Sequence, residues 1–431
     1  MRVLVIGSGA REHAIAARLT AERDVSEVVC APGNPGISAL ARTRPVDVAS
    51  PDAIAELADR EQIEFTIVGP ELPLSLGVVD RFVGDGRLIF GPAAPAARLE
   101  SSKAFAKAFM ARHRVPTARF RTCESIDEAR SAIRSDEFAC PVVIKADGLA
   151  AGKGVVIAPS RAEAERAIED AMQTRRFGDA GARLVIEECL SGPEVSFFVI
   201  SDGTRAIPIG TAQDHKRMFD ADRGPNTGGM GAFAPSPLVD DALHARVMQE
   251  IVAPVIAGMR EEGHPFRGFL YVGLMLTASG PKVIEFNVRL GDPEAQVILP
   301  LIDEPLLPLL VAAAAGELRT STPRGSSDKL VGVVIASRGY PESSESGQPI
   351  SGIAEAEHLP GVSVMHAGTA LREGRLVTAG GRVLTVVGRG SDFQEAITRA
   401  YAGVSRIRFD GMQYRHDIGQ KALNDFRSSI S

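Results

Sequence analysis

Cysteine is scarce in this chain of 431 residues, and Cys30, Cys123, Cys140 and Cys189 are scattered along it. Their spacing fits neither a metal knot nor a disulfide framework, so a reducing, cytoplasmic setting is expected. Positive charge is not in excess: 48 Lys and Arg stand against 54 Asp and Glu, a net of −6. Such a chain has no basic field for nucleic acid and no general attraction to anionic membranes, which leaves only local basic pockets for phosphates. Long apolar runs are missing too. Gly7 and Gly9 interrupt the short apolar N-terminus before a signal-peptide core could form. The most apolar window, 297–315, contains Asp303, Glu304, Pro305 and Pro308 and reads as a buried helix after a loop, not a membrane span. There is no low-complexity stretch and no internal repeat. The remainder is ordinary for a soluble globular protein, 45 % apolar and 24 % charged. The length suits roughly two to four domains.

The densest chemistry lies in one stretch, Lys282-Val-Ile-Glu-Phe-Asn-Val-Arg-Leu-Gly-Asp-Pro-Glu294. Its first half alternates as a β-strand does, with Ile284, Phe286 and Val288 on one face and Glu285, Asn287 and Arg289 on the other. The first face suits a core. On the second, the carboxylate and the amide oxygen can hold a hard cation such as Mg²⁺ that shares its shell with phosphate. Arg289 offers a fork for phosphate or carboxylate oxygens. An edge strand with a solvated polar face would also explain the alternation. The Gly-Asp-Pro-Glu turn, which adds Asp292 and Glu294 near the same end, favours a site.

The first hundred residues alternate short strands with helices. Arg2–Ile6, Glu27–Ala31 and Phe65–Val68 read as strands, and helices follow His13 and span Pro51–Arg60. That order predicts a doubly wound α/β domain on a parallel sheet. The turn Gly7-Ser-Gly-Ala-Arg-Glu-His13 resembles a dinucleotide fingerprint but has Glu12 at the third glycine position. The second strand ends in Cys30-Ala31, with no carboxylate for a ribose, so NAD is disfavoured. Free amides near Gly9 at a helix N-terminus could still bind a phosphate, reinforced by Arg11. A tight turn alone would explain the glycines but not Arg11-Glu12-His13. Val68-Gly-Pro-Glu71 and Phe90-Gly-Pro92 end later strands, where open sheets bind ligands. Glu71 is thus a candidate for a substrate amine or hydroxyl, or simply a carboxylate favoured by a helix N-terminus.

In the middle, Ser101-Ser-Lys103 opens a helix, and Pro141–Lys145 is a strand that ends in a lysine. Asp147-Gly-Leu-Ala-Ala-Gly-Lys-Gly154 follows, then the strand Val155–Ala158: a hairpin with a glycine-rich tip, not a P-loop. Its amides could close over phosphates. Lys145 buries its stem and its ammonium wants an anion, although a snorkelling surface lysine has the same pattern. Arg183–Leu190 is a strand, Ser191-Gly-Pro-Glu194 turns it, and Glu187, Glu188 and Leu190 fall where a linker would join two lobes and read an adenine. Glu194 could take ribose hydroxyls. The stretch 211–232 is polar and glycine-rich, and is either a disordered surface loop or a substrate loop; Asp214, His215, Lys216, Asn226 and Thr227 favour the second.

Lys103, Lys145 with its glycine loop, the Glu-Glu-x-Leu linker and the Glu-Phe-Asn strand resemble the ATP-grasp ligases. Longer strings go further. Val5-Ile-Gly-x-Gly-x-Arg-Glu-His13, Val68-Gly-Pro-Glu71, Lys145-Ala-Asp-Gly-Leu-Ala-Ala-Gly-Lys-Gly154, Gln213-Asp-His-Lys-Arg217, Gly224-Pro-Asn-Thr-Gly-Gly-Met-Gly231 and Glu285-Phe-Asn-x-Arg-x-Gly-Asp-Pro-Glu294 closely resemble the phosphoribosylamine–glycine ligases, from residue 1 to Ile418. The resemblance implies that ATP activates the glycine carboxylate as an acyl phosphate and that 5-phosphoribosylamine displaces phosphate, in purine biosynthesis. It implies Mg²⁺ or Mn²⁺ on Glu285 and Asn287, and ATP on Lys103, Lys145, Gly148, Gly152, Lys153, Gly154, Glu187, Glu188, Leu190 and Glu194. Arg289, Lys216 and Asp214 would act in catalysis. Gly9, Arg11, Glu12, Glu71, His215, Asn226, Thr227, Gly228, Gly229, Met230, Gly291 and Asp292 would receive the other substrates. A monomer is expected. One departure stands out: many ATP-grasp enzymes carry another metal carboxylate on the strand before Glu285, and Phe269–Leu276 has none.

The resemblance divides the chain into the parallel-sheet domain at 1–100, an ATP-grasp core at 101–325 with a mobile lid lobe about 120–190, and a small C-terminal α+β domain at 326–431. In the last, Leu330–Ala336, Val362–Ala367 and Arg382–Gly388 read as strands, and Phe393–Val404 as an amphipathic helix. Two other functions compete. Another ATP-dependent carboxylate–amine ligase should lack the His-Lys-Arg and Asn-Thr-Gly-Gly-Met-Gly strings. A nucleotide-binding regulator without turnover would have little need of Glu285, Asn287 and Arg289 together.

Overall fold

The computed structural model describes residues 1–135, 137–149, 154–176, 178–318 and 322–423. Strands β1 (Arg2–Gly7), β2 (Glu27–Pro32), β3 (Arg42–Thr43), β4 (Phe65–Val68) and β5 (Ile89–Phe90) form an all-parallel sheet in the order β3-β2-β1-β4-β5. Both faces of β1 are covered: Val3 and Val5 enter one core and Leu4 and Ile6 another. Burial on two sides is why this strand is a continuous apolar run rather than an alternating one. Strand order reverses between β1 and β4, so the turns after Gly7 and Val68 meet at the switch point, where such sheets bind ligands.

A second, antiparallel sheet has the order β6-β9-β7-β8, from β6 (Phe120–Cys123), β7 (Val142–Ala146), β8 (Val155–Ala158) and β9 (Leu184–Glu188). Its inner face packs on the helices Ile126–Arg134 and Arg161–Ile168 through a small core of its own, including Ile133, Ile144, Ile168 and Ile186. The hairpin β7–β8 carries the glycine-rich tip.

The third sheet has eight strands. β10 (Glu194–Asp202), β11 (Ala206–Asp214), β14 (Gly231–Ala234), β15 (Arg267–Thr277) and β16 (Gly280–Asn287) come from the central region. β17 (Lys329–Ala336), β18 (Val362–His366) and β21 (Arg382–Gly390) come from the C-terminal region. The order is β16-β15-β10-β11-β14-β17-β21-β18. The C-terminal strands therefore continue the central sheet, through the β14–β17 pairing, in place of stacking on it. A hairpin of β19 (Thr369–Arg372) and β20 (Arg375–Thr378) leaves this sheet, and the helix Phe393–Val404 covers β17 and β21.

Two local readings change. The stretch 211–232 is not a loop: it contains the end of β11, a hairpin of β12 (Arg217–Phe219) and β13 (Arg223–Asn226), and the start of β14. The turn of that hairpin, Asp220–Asp222, has no glycine, and Ala221 and Asp222 take positive φ there; Gly224, within β13, sits at φ +83° against the Phe219 ring. In β16 the ladder shifts register, with Val283 opposite Leu274 and Glu285 opposite Gly273. This bulge takes Ile284 off the core face and puts Val283 there beside Phe286 and Val288. Alternation read from sequence assumes an unbroken ladder, so it misplaced Ile284.

Candidate active site

The bulge leaves Glu285 and Asn287 half-buried on β16. Gly273 opposite has no side chain, and a Cβ there would come within 3.1 Å of Glu285 Cγ. Lys216, just past β11, reaches across: its Nζ lies 3.5 Å from Glu285 Oε1 and 3.0 Å from Glu194 Oε2. Burial raises the Glu285 carboxyl pKa, but Lys216, Lys145, Lys103 and Arg289 outweigh it and hold the group below its ordinary range. Burial lowers the Lys216 pKa, yet Tyr271, Glu194, Glu285 and Asp214 lift it well above normal. Asp214 is the opposite case: burial pushes it up to about 8, against Lys216 and with help from Glu294, Glu194 and Glu285. Thus Asp214, Glu194, Glu285 and Lys216 converge on one cleft.

The strand alternation that aims Asp214 and Lys216 into this cleft turns His215 away. Its ring is 1 % exposed, packs 5.8 Å from Phe233, and neither ring nitrogen has a hydrogen-bond partner. Burial, with Lys421 and Arg415 nearby, lowers its pKa to about 3. His215 is a neutral core side chain here, not a substrate ligand. Its main chain does align the loop, with its N–H on Gly231 O and its C=O accepting from Met230 N.

Lys103 stands at the first position of the helix Lys103–Arg112, capped by Ser102 Oγ on Phe105 N at 3.1 Å. Asp147 ties that helix start to the hairpin by accepting from Ala104 N at 3.1 Å and Ser102 Oγ at 3.3 Å. Lys103 Nζ donates to Gly148 O at 2.9 Å, so Lys103 and the glycine tip are joined. Gly154 is buried at the other end of the tip; Gly152 and Lys153 lie outside the described residues. Lys145 Nζ donates to Ile284 O at 3.0 Å and lies 2.9 Å from Glu187 Oε1. Glu187 is buried, and its Oε2 is 2.8 Å from Lys107 Nζ. Lys107 was not singled out in the sequence. Glu188 commits its carboxylate to Arg119, with Lys282 at 3.4 Å, so it has only its backbone to offer an adenine. Leu190 is half-buried just after β9, and Glu194 opens β10.

Arg289 is held from the N-terminal domain. Its Nε is 3.1 Å from Glu71 Oε2, its Nη2 is 2.9 Å from Glu100 Oε1, and its Nη1 donates to Leu290 O at 3.2 Å. Burial opposes its charge, but Glu100, Glu71, Glu294 and Glu285 raise its pKa. Each guanidinium nitrogen meets an oxygen, and the fork's N–H groups leave about two for a ligand. Glu100, whose Oε2 also accepts from Val288 N at 2.7 Å, gave no sequence signal. Glu71 faces Arg289: burial raises its pKa, and Arg289 and Arg11 bring it below normal.

Glu12 is corrected. It is 2 % exposed, in a cradle of Gly7, Gly9 and Gly69 that leaves no room for a Cβ. Its Oε2 accepts from Gly9 N and its Oε1 from Arg11 Nε, both at 2.6 Å. Glu12 thus shapes the turn and orients Arg11, which also donates to Leu290 O at 3.1 Å. The Gly9 amide is therefore occupied, and any anion at this turn relies on the later amides and on Arg11.

The C-terminal region reaches the same cleft. Arg382, at the start of β21, lies 3.4 Å from Asp292 Oδ2 and donates to the carbonyls of Asp292 and Gly228. Tyr340 Oη accepts from Gly228 N at 2.9 Å. Thr227 Oγ1 donates to Lys216 O at 2.9 Å and accepts from Gly229 N at 3.0 Å. Gly229, at φ +107°, abuts Pro293, and a Cβ at Gly291 would collide with the Glu294 carboxylate. Asn226 closes the β12–β13 hairpin, half-buried. Met230 is fully buried with Met218 and Ala336, so its side chain supports the loop and does not face a ligand.

Among the described residues no group of three or more His, Cys, Asp or Glu converges as a metal site. Glu285 and Asn287 alone supply one carboxylate and one amide oxygen. This oxygen-only pair fits a hard cation that takes its remaining ligands from phosphates and water.

A lysine-bearing lid hairpin facing an acidic strand on an antiparallel sheet defines the class, that of the ATP-grasp ligases. The family models for phosphoribosylglycinamide synthetase match in series: the N domain over 1–100, the ATP-grasp (A) domain over 101–295 and the C domain over 330–421. The chain is 51 % identical over 428 residues to a phosphoribosylamine–glycine ligase of Xylella fastidiosa, covering 98 % of each. It is 48 % identical to one of Neisseria meningitidis, covering 98 % of this chain and 100 % of that one. A crystal structure of the ligase from Thermotoga maritima superposes with a TM-score of 0.84 at 35 % identity, over 97 % of this chain and 100 % of that one. A Campylobacter jejuni biotin carboxylase shares the fold, with a TM-score of 0.75 at 16 % identity over 99 % of this chain and 96 % of that one. The chain belongs to the phosphoribosylamine–glycine ligase family.

Proposed function

We propose that this chain joins glycine to 5-phosphoribosylamine with ATP, by way of glycyl phosphate, to give glycinamide ribonucleotide, ADP and phosphate. The observation that carries the reading is the convergence of Lys103, Lys145, Lys216 and Arg289 on Glu285, because phosphoryl transfer depends on positioning and charge neutralisation.

A glycine carboxylate oxygen attacks the γ-phosphorus, and the bond to the ADP oxygen breaks. The amine nitrogen then attacks the acyl carbon, the carbon–oxygen bond to phosphate breaks, and the amine gives up a proton. Lys103 and Lys145 bind the ATP phosphates together with the amides of Gly148 and Gly154. Glu187, Glu188 and Leu190 line the base through their backbone, because both carboxylates are committed to cations, and Glu194 takes the ribose. Glu285 and Asn287 would hold Mg²⁺ or Mn²⁺, which would neutralise phosphate charge. Arg289 has donors left for the transferred phosphoryl group and the acyl phosphate. Lys216 and Asp214 flank the reacting carboxylate. Arg11, Glu71, Asp292 and the backbone of 226–229 receive the phosphoribosylamine and glycine. No described helix is long and apolar enough to cross a membrane.

The test is ADP release with Mg²⁺-ATP, glycine and phosphoribosylamine generated in situ, each omitted in turn. Release that needs all of them supports the reading. Release without the amine, or only with another carboxylate, overturns the substrate assignment.

A further inference from the structure

The lid and the central sheet meet at a buried group of charges that the reaction does not obviously need. Lys107 Nζ lies 2.8 Å from Glu187 Oε2 and donates to Thr117 Oγ1 at 2.8 Å, and Thr117 Oγ1 donates to Val283 O at 2.7 Å. Glu187 also faces Lys145. The side chains of Lys107, Glu187 and Lys145 are 2 %, 4 % and 7 % exposed. Two ammoniums share the one carboxylate between them, with Glu188 and Glu285 also acting on them, and such charges out of water are costly unless each keeps a partner.

The two lysines are not equivalent. The Lys107 ammonium is fixed between Glu187 Oε2 and Thr117 Oγ1. Lys145 places its hydrogen bond on Ile284 O, and Glu187 Oε1 makes no hydrogen bond despite the 2.9 Å approach. Lys145 is the looser partner. Were it the only counter-ion, moving it to a phosphate would strand Glu187 as an unpaired buried carboxylate.

We infer that Lys107 is a positioning residue for the nucleotide: it remains the counter-ion of Glu187 and so releases Lys145 to the ATP phosphates. This deepens the proposed function and rests on Lys145 being a phosphate ligand. Lys107 itself touches no substrate.

The experiment compares ADP with adenosine by titration calorimetry, since adenosine has the base and ribose without the phosphates. In Lys107→Met, Glu187 has only Lys145. ADP binding should weaken about tenfold or more while adenosine binding changes little, and Glu187→Gln added to that variant should restore most of the loss. Equal weakening of both ligands, or none, overturns the inference, as does a double variant no better than Lys107→Met. Should Lys107→Met fail to fold, the double variant is compared with Glu187→Gln alone: equal ADP affinity supports the inference and a large deficit overturns it. Lys145→Ala tests the underlying reading separately. If it weakens ADP no more than adenosine, that reading fails; if it selects against ADP and Lys107→Met does not, only the role of Lys107 fails.

Discussion

Replacing Glu285 by Gln removes a charge while leaving the backbone ladder to Gly273 in place. Two effects can be sized. The carboxylate is held below its usual pKa in the folded state, so the stability it lends is present at neutral pH and fades as pH falls through that lowered value. Its side chain is 37 % exposed and Lys216 keeps Glu194 at 3.0 Å, so screening limits the loss to less than about 1 kcal/mol. The chemistry loses more. Glu285 is the single anionic member of the pair Glu285–Asn287, and without it the pair offers a hard cation only neutral oxygens. A drop in kcat of about 10²–10³-fold is expected, as for loss of a principal electrostatic group, with a higher metal concentration for half-activity. The chain has no tryptophan, so folding is checked by circular dichroism, and activity by ADP release across a Mg²⁺ and a Mn²⁺ titration. A folded Glu285→Gln enzyme with near-normal kcat and an unchanged metal requirement would refute the assignment.

Arg11→Ala should raise the KM for phosphoribosylamine far more than that for ATP, because Arg11 sits at the switch point while the lysines lie across the cleft; equal changes in steady-state kinetics would contradict this. Gly229→Ala should cut turnover yet spare ATP binding, since a Cβ there comes within 2.5 Å of Pro293 Cδ and displaces the turn that Arg382 grips; unaltered turnover would count against that turn. His13 and His366 both have pKa values lowered to about 4, His13 by burial and then by His366, and His366 by burial. His13 Nδ1 accepts the His366 N–H at 2.8 Å between the N-terminal and C-terminal regions. A lowered histidine pKa means stability that is present above about 6.5 and is lost as pH falls towards 4, at most about 3 kcal/mol for each ring. His13→Asn, whose oxygen can accept the same N–H, should melt with a shallower decline between these pH values, and identical melting curves would exclude a role for the ring.

Local strings carried much of the site. Glu285, Asn287, Lys145 and the glycine hairpin could be read because strand alternation and turn chemistry act over a few residues. The helix Phe393–Val404 has the bounds its apolar spacing predicts, and β1, buried on both faces, announces itself as an unbroken apolar run. Other features depend on partners distant in sequence. Lys107 looks like any lysine on an amphipathic helix until Glu187 and Thr117 close over it. Glu100 is a helix-end carboxylate until Val288, 188 residues away, and its neighbour Arg289 arrive. Arg382 opens an unremarkable strand, and it enters the cleft because β17 pairs with β14 and extends one sheet across two regions. The bulge that displaces Ile284 is a property of the β15–β16 pair and not of either strand alone. His215, set among Asp214, Lys216 and Arg217, shares their polar pattern, yet alternation sends its ring into the core. Residue types and short-range periodicity thus specify which groups can do the chemistry. Register, sheet continuity and the pairing of buried charges determine which of those groups face one another, because these are fixed by contacts between segments that the chain order keeps apart.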